Sequence, residues 1–219
     1  METTLQKRRI MKKFSVTELK NLNNQLRGID PSEVIRWVLL NHRNPVVTTN
    51  FRPYEAAILH AVNVEKPGTK VIWCDTGYNT PQTYKHADQV IKQLNLNVKL
   101  YMPKQTAAYR DALNGGIPEV NSRQHEEFTK QVKLEPFQRA MALEQPDVWF
   151  TNLRKGQTAF RDSIDILSYS KDGLLKVSPF YHWTDEKLDG YLQKNELPNE
   201  FKYFDPTKVL SNRECGLHA

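Results

Sequence analysis

Cysteine is almost absent from this chain. There are two in 219 residues, Cys74 and Cys215, lying 141 positions apart. Two cysteines cannot build a disulfide scaffold, and without a Cys-x-x-Cys they offer no zinc or iron–sulfur ligation of the usual kind. Such usage points to a reducing compartment, most simply the cytoplasm. Long apolar runs are also lacking. None reaches membrane-spanning length, and Met1 to Phe14 is basic and polar, with no apolar core of a secretory signal. Internal repeats, low-complexity stretches and linkers are missing too, so residues 1–219 read as a single domain. What is present is a hydrophobic fraction of 39% and a formal charge of +6. The charge admits nucleic acid, an anionic small molecule or an acidic protein as partner. Apart from Lys7-Arg8-Arg9 with Lys12-Lys13, which reads as a solvated terminus, the basic residues are dispersed. Nucleic acid therefore ranks last, and no membrane is expected.

The hydrophobic periodicity changes along the chain. Ser15-Val16-Thr17-Glu18 has capping-box spacing before Leu19, Leu22 and Leu26. Asp30-Pro31-Ser32-Glu33 opens a second helix, with apolar Val34, Ile35, Val38 and Leu39. These N-terminal helices occupy about 15–42. Short apolar or β-branched runs at 45–49, 70–73, 97–101 and 148–151 then alternate with helical stretches starting at Pro53, at about Thr80 and at Glu135. Strands at 164–168 and 174–177 flank a turn at Lys171-Asp172-Gly173, and a last helix covers Thr184 to Lys194. The alternation predicts an α/β fold with a doubly wound, mostly parallel sheet.

In such a sheet, ligands sit beyond the carboxyl ends of the strands. Thr48, Thr49 and Asn50 end the first strand just before a helix N-terminus, a location that favours phosphate. Asp75 and Thr76 end the second, where they could hold a ribose or base. After the strand at 148–151, Arg154, Lys155 and Arg161 bring three cations within eight residues, suited to phosphate or sulfate. Each of these has a plainer reading as β-propensity, a turn or a solvated surface. Near the end stands Arg213-Glu214-Cys215-Gly216-Leu217-His218. Cys215 there is either an exposed cysteine with no role or a nucleophile whose thiolate Arg213 and His218 favour.

Five motifs in order carry a resemblance. They are Thr49-Asn50-Phe51; Asp75-Thr76-Gly77-Tyr78 with Pro81 and Tyr84; Lys133-Leu134-Glu135-Pro136 with Arg139; Trp149-Phe150 with Leu153-Arg154; and Glu214-Cys215-Gly216-Leu217-His218. From about Val34 to His218 the chain resembles the 3′-phosphoadenylyl-sulfate (PAPS) reductases of the thioredoxin-dependent, cluster-free type. The resemblance implies an adenine nucleotide α-hydrolase-like fold, related to the PP-loop proteins, and a modified phosphate loop at Thr48, Thr49 and Asn50. It implies nucleotide contacts at Asp75 and Thr76, anion contacts from Lys133, Arg154, Lys155 and Arg161, and Cys215 as nucleophile with His218 in an electrostatic or anchoring role. The activity so implied is reduction of PAPS to sulfite and adenosine 3′,5′-bisphosphate in sulfate assimilation. It would run through an S-sulfocysteine that thioredoxin (or glutaredoxin) resolves, in a cytoplasmic homodimer with no bound cofactor and no iron–sulfur cluster. A mobile catalytic tail would span about 198–219. Relatives acting on adenylyl sulfate carry extra cysteines for a [4Fe–4S] cluster; Phe128 to Val132, just before Lys133, holds none.

The chain departs from the family pattern in three places. Arg52 stands where glycine usually follows the phenylalanine. Only sixteen residues, Pro198 to Arg213, precede Glu214, with no counterpart of the family's Gly-Asp-x-x-x-Thr stretch. Cys74 precedes Asp75, and reads as a small buried hydrophobe. The shortened segment makes the alternative a catalytically weak relative that serves as an adenine-nucleotide-binding module. An ATP-splitting adenylating enzyme is disfavoured, because Thr49-Asn50-Phe51-Arg52-Pro53 lacks the glycines of a Ser-Gly-Gly-x-Asp-Ser loop.

Overall fold

Parallel β1 (Pro45–Thr49) runs through the middle of a six-stranded sheet, between β2 (Lys70–Cys74) and β4 (Val148–Phe150). Beyond β2 lies β3 (Asn97–Tyr101), and beyond β4 lie β6 (Leu175–Val177) and then β5 (Leu167–Tyr169). All pairings are parallel except β5 with β6. That exception follows from the tight turn at Lys171-Asp172-Gly173, since parallel neighbours need a long crossover. The computed structural model from which these positions come describes residues 13–120 and 122–208.

Period-two alternation divides the strands between two cores. Val47, Val71, Trp73, Val148, Phe150 and Val177 face one side, against α2 (Pro31–Asn41), α3 (Glu55–Glu65), α4 (Pro81–Leu94) and α9 (Asp185–Lys194). Val46, Ile72, Cys74, Tyr101 and Trp149 face the other, against Phe137, Ala140 and Met141 of α7 (Glu135–Glu144). The expected caps form: Ser15 and Glu18 make a reciprocal capping box on α1 (Val16–Leu26), and Asp30 caps α2. Thr80 and Thr184, expected as the first residues of their helices, stand just before α4 and α9 as caps.

Three further helices lie outside the sequence expectations: α5 (Ala107–Asn114), α6 (Arg123–Thr129) and the single turn α8 (Ala159–Asp162). Between α6 and α7 the chain widens into a π-helical turn, Lys130–Leu134, with the Glu135 N–H reaching back to the Lys130 carbonyl. Pro136 explains it. With no N–H to donate and a ring that crowds the carbonyl four residues back, proline disfavours tight α-winding there. The wide turn carries Lys133 inward, where it is 1% exposed.

Residues 199–206 contact the body of the fold. Asn199 Oδ1 accepts from the Tyr54 N–H (2.9 Å), and the Lys202 carbonyl accepts from Thr80 Oγ1 (2.7 Å). The Pro206 carbonyl meets His125 Nε2 (3.0 Å), and Asp205 pairs with Lys133. Cys215 and His218 lie outside the described residues.

Candidate active site

Chain order reverses between β1 and β4, because the chain leaves β1 toward β2 and later returns on the other side. This is the switch point at which open α/β sheets bind ligands. A cleft of about 640 Å³, measured out to its open mouth, sits there. Thr48 to Asn50 line it from the end of β1, Thr151 to Leu153 from the end of β4, and Ile72 and Cys74 from β2. Lys133 and Phe137 cover one side; Arg161, Tyr203, Asp205 and Lys208 complete the rim.

The loop after β1 is shaped from within. Glu55, 5% exposed, accepts from Thr49 Oγ1 (2.8 Å), the Asn50 N–H (2.8 Å) and Arg52 Nε (2.7 Å). Phe51 and Tyr54 take left-handed backbone conformations (φ 51° and 68°). Thr49 Oγ1 accepts the Phe51 N–H, and the Phe51 ring packs edge-on to Trp73 at 4.8 Å. Positive φ thus falls on Phe51 and not on Arg52, so arginine is unstrained where the family has glycine. Arg52 instead spans the switch point, with Nη2 donating to the Asn152 carbonyl (3.4 Å).

Opposite, Lys133 Nζ pairs with Asp205 and donates to Thr207 Oγ1 (3.3 Å). Burial would raise the Asp205 carboxyl pKa, but the charge of Lys133 and hydrogen bonds from Lys133 and Thr207 outweigh it and hold it below the usual range. Four cations (Arg52, Lys133, Arg161 and Lys208) and two carboxylates (Glu55 and Asp205) line the cleft, an excess of positive charge suited to an anion. Burial pushes the Cys74 thiol up to about 12 despite the cations nearby, so it remains protonated at neutral pH.

Of the site residues expected from sequence, the cleft gathers Thr48, Thr49, Asn50, Lys133 and Arg161. Asp75, Thr76, Arg154 and Lys155 are not in its lining. Asp75 accepts from the Gly77 N–H (2.9 Å), Asn79 Nδ2 (2.8 Å) and Tyr84 Oη (3.0 Å). Thr76 Oγ1 accepts the Tyr78 N–H (3.2 Å). Arg154 pairs with Asp185 and lies 5.1 Å from the Tyr54 ring centroid, and Lys155 is exposed. A run of cations in sequence does not separate Arg161, which lines the cleft, from Arg154 and Lys155, which do not. Sequence reasoning singled out Arg52 only as a departure in the phosphate loop, and missed Glu55, Asn152, Tyr203, Asp205 and Lys208 as lining. For Asp205 a signal existed: Asp205-Pro206-Thr207 offers the aspartate and threonine sought in the Gly-Asp-x-x-x-Thr stretch, at closer spacing and without the glycine.

Residues 44–204 match the phosphoadenosine phosphosulfate reductase domain. The chain belongs to the PAPS reductase family. It is 31% identical to the phosphoadenosine 5′-phosphosulfate reductase of Photobacterium profundum, over 93% of this chain and 89% of that protein. It is 32% identical to the enzyme of the same name from Xanthomonas euvesicatoria pv. vesicatoria, over 83% of this chain and 75% of that protein. In fold it is similar to the crystal structure of phosphoadenylyl-sulfate reductase from Candida auris, a phosphate complex. That match has a TM-score of 0.74 at 24% identity and covers 86% of this chain and 90% of that one. The NH3-dependent NAD synthetase of Campylobacter jejuni is similar more distantly (TM-score 0.52, 11% identity, 84% and 76% covered). The fold is adenine nucleotide α-hydrolase-like, as the family resemblance implied.

Proposed function

We propose that this protein reduces PAPS to sulfite and adenosine 3′,5′-bisphosphate, with Cys215 as nucleophile and thioredoxin (or glutaredoxin) as electron donor. The observation that carries the proposal is the cation-rich cleft at the switch point, with Lys208 in its lining. Seven residues lead from Lys208 to Cys215, and fully extended they span about 24 Å. That reach is ample for a thiolate to return to the cleft despite the shortened segment.

In the first step the Cys215 thiolate attacks the sulfur of the sulfo group. The S–O bond to the phosphate breaks, adenosine 3′,5′-bisphosphate departs with the electron pair, and an S-sulfocysteine remains. A thioredoxin thiolate then attacks the Cys215 sulfur and expels sulfite. The second thioredoxin thiol resolves the mixed disulfide, which leaves oxidised thioredoxin and regenerates Cys215. Thiolate and sulfo group are both anionic, so the approach needs fixed positive charge, here from Lys133, Arg161, Arg52 and Lys208. Thr48 and Asn50 add polar contacts, and Arg213 and His218 favour the thiolate.

In this reading Asp75 and Thr76 shape the nucleotide loop, Arg154 steadies Tyr54 beside the cleft, and Lys155 adds long-range attraction. Cys74, buried and protonated, takes no part. Two cysteines fall short of the four thiolates of an iron–sulfur cluster, which favours PAPS over adenylyl sulfate. A homodimer in the cytoplasm, part of sulfate assimilation, completes the proposal.

The test is intact mass of the reduced protein after incubation with PAPS, beside adenylyl sulfate and a Cys215→Ser variant. A sulfonate adduct with PAPS alone, absent in the variant, is the expected result. No adduct despite binding of adenosine 3′,5′-bisphosphate would overturn the reading in favour of a nucleotide-binding module.

A further inference from the structure

Trp149 lies in the middle of the sheet and is 1% exposed. The β1–β4 register pairs it with Val46, so its side chain shares a sheet face with Val46 and Thr48. Its indole Nε1 donates to Thr48 Oγ1 at 2.9 Å. A threonine hydroxyl holds one proton and can accept through two lone pairs. An N–H aimed at one lone pair forbids the orientation in which the hydroxyl proton faces the indole. No acceptor among the described residues takes that proton, and Thr48 is half-buried in the cleft lining.

We infer that Trp149 is a positioning residue that sets the Thr48 hydroxyl as a hydrogen-bond donor toward an anionic oxygen of the substrate. The neighbouring groups favour this arrangement. Lys176 Nζ lies 5.8 Å from the Trp149 ring centroid and 5.9 Å from that of Phe160, and Lys176 is 1% exposed. A buried cation against the ring draws charge from the indole and makes its N–H a better donor. Phe137 packs on the same ring with centroids 5.1 Å apart and limits its rotation. A bound phosphate or sulfate oxygen accepting from Thr48 would then lie at the end of a polarised chain, Trp149 to Thr48 to anion.

This inference rests on the proposed binding of a phosphate- and sulfate-bearing nucleotide. Its test is chosen to separate the two. Adenosine 3′,5′-bisphosphate is titrated into the wild type and into Thr48→Val, Thr48→Ser, Trp149→Phe and the Thr48→Val/Trp149→Phe double variant. Thr48→Val should weaken binding about tenfold, as for loss of a hydrogen bond to a charged group, and Thr48→Ser should restore most of it. Trp149→Phe should weaken it by less, and should cost nothing further once Thr48 is valine. Additive losses would overturn the inference, because a merely structural tryptophan acts whether or not the hydroxyl is present. A readout that leaves Trp149 in place guards against misfolding of Trp149→Phe. The Trp149 indole N–H resonance should shift on titration of the wild type and stay put in Thr48→Val; an equal shift in both would also overturn it. Binding by the wild type that is indifferent to Thr48 defeats the inference alone. Failure of the wild type to bind defeats the function reading and the inference together.

Discussion

The ends of β1 and β2 look alike in sequence, each a buried strand running into polar residues before a helix, yet only at β1 do those polar residues line the cleft. At the end of β2 the polar groups serve their own loop. Asp75 accepts three hydrogen bonds from Gly77, Asn79 and Tyr84, and Gly77 takes the positive φ (81°) that the turn needs. At the end of β1, Thr49 is likewise consumed by Glu55 and Phe51, but Thr48 points to the opposite face with its proton unassigned. A polar strand end becomes a site where its hydrogen bonds outnumber the needs of the backbone around it.

The largest effect is expected from Lys133→Met, which leaves the Asp205 carboxylate buried beside the cleft without its cation. Loss of one member of a buried pair should cost about 3–5 kcal/mol in urea denaturation and abolish nucleotide binding. Next come Asp75→Ala and Thr48→Val as a reciprocal pair. Asp75→Ala should lose roughly 2–3 kcal/mol of stability, since it orphans three donors, while affinity for adenosine 3′,5′-bisphosphate changes within about threefold. Thr48→Val should do the reverse, with about 1 kcal/mol of stability lost and a tenfold drop in affinity. Exchange of these two outcomes would contradict the contrast.

Acidification gives a smaller effect. Asp205 is held below the ordinary aspartate range in the fold, so its contribution is fully present above that ordinary value, near 4, and is lost as pH falls through the lower folded value. Stability should therefore decline below about pH 4 more steeply in the wild type than in Asp205→Asn, measured by denaturation at a series of pH values. The smallest effect is expected at Arg154. Its partner Asp185 is largely exposed, so the ion pair itself contributes little. Arg154→Ala should change affinity less than about twofold by titration, while costing about 1 kcal/mol through lost packing on Tyr54.

Much of this was legible beforehand, for reasons that differ by element. The strands at 45–49 and 97–101 and the caps Ser15 and Asp30 rest on local chemistry, and they stand where the pattern put them. Thr48, Asn50 and Lys133 were legible as site candidates from strand-end position or family motif. The π-helical turn was not, although Pro136 causes it, because a widened turn has no periodicity of its own. Nor was the sorting of Arg154 from Arg161, which depends on the carboxylate of Asp185 on a distant helix and on the turn α8. Asp205 had a local signal in Asp205-Pro206-Thr207, but its pairing was not legible. Its partner Lys133 is 72 residues away, and only the folded chain brings them together.

The most direct measurement is a crystal structure with adenosine 3′,5′-bisphosphate bound. The nucleotide is expected at the ends of β1 and β4, with phosphate oxygens on Lys133 or Arg161 and within hydrogen-bond distance of Thr48 Oγ1. A nucleotide seated elsewhere, with the cleft between β1 and β4 empty, would contradict it.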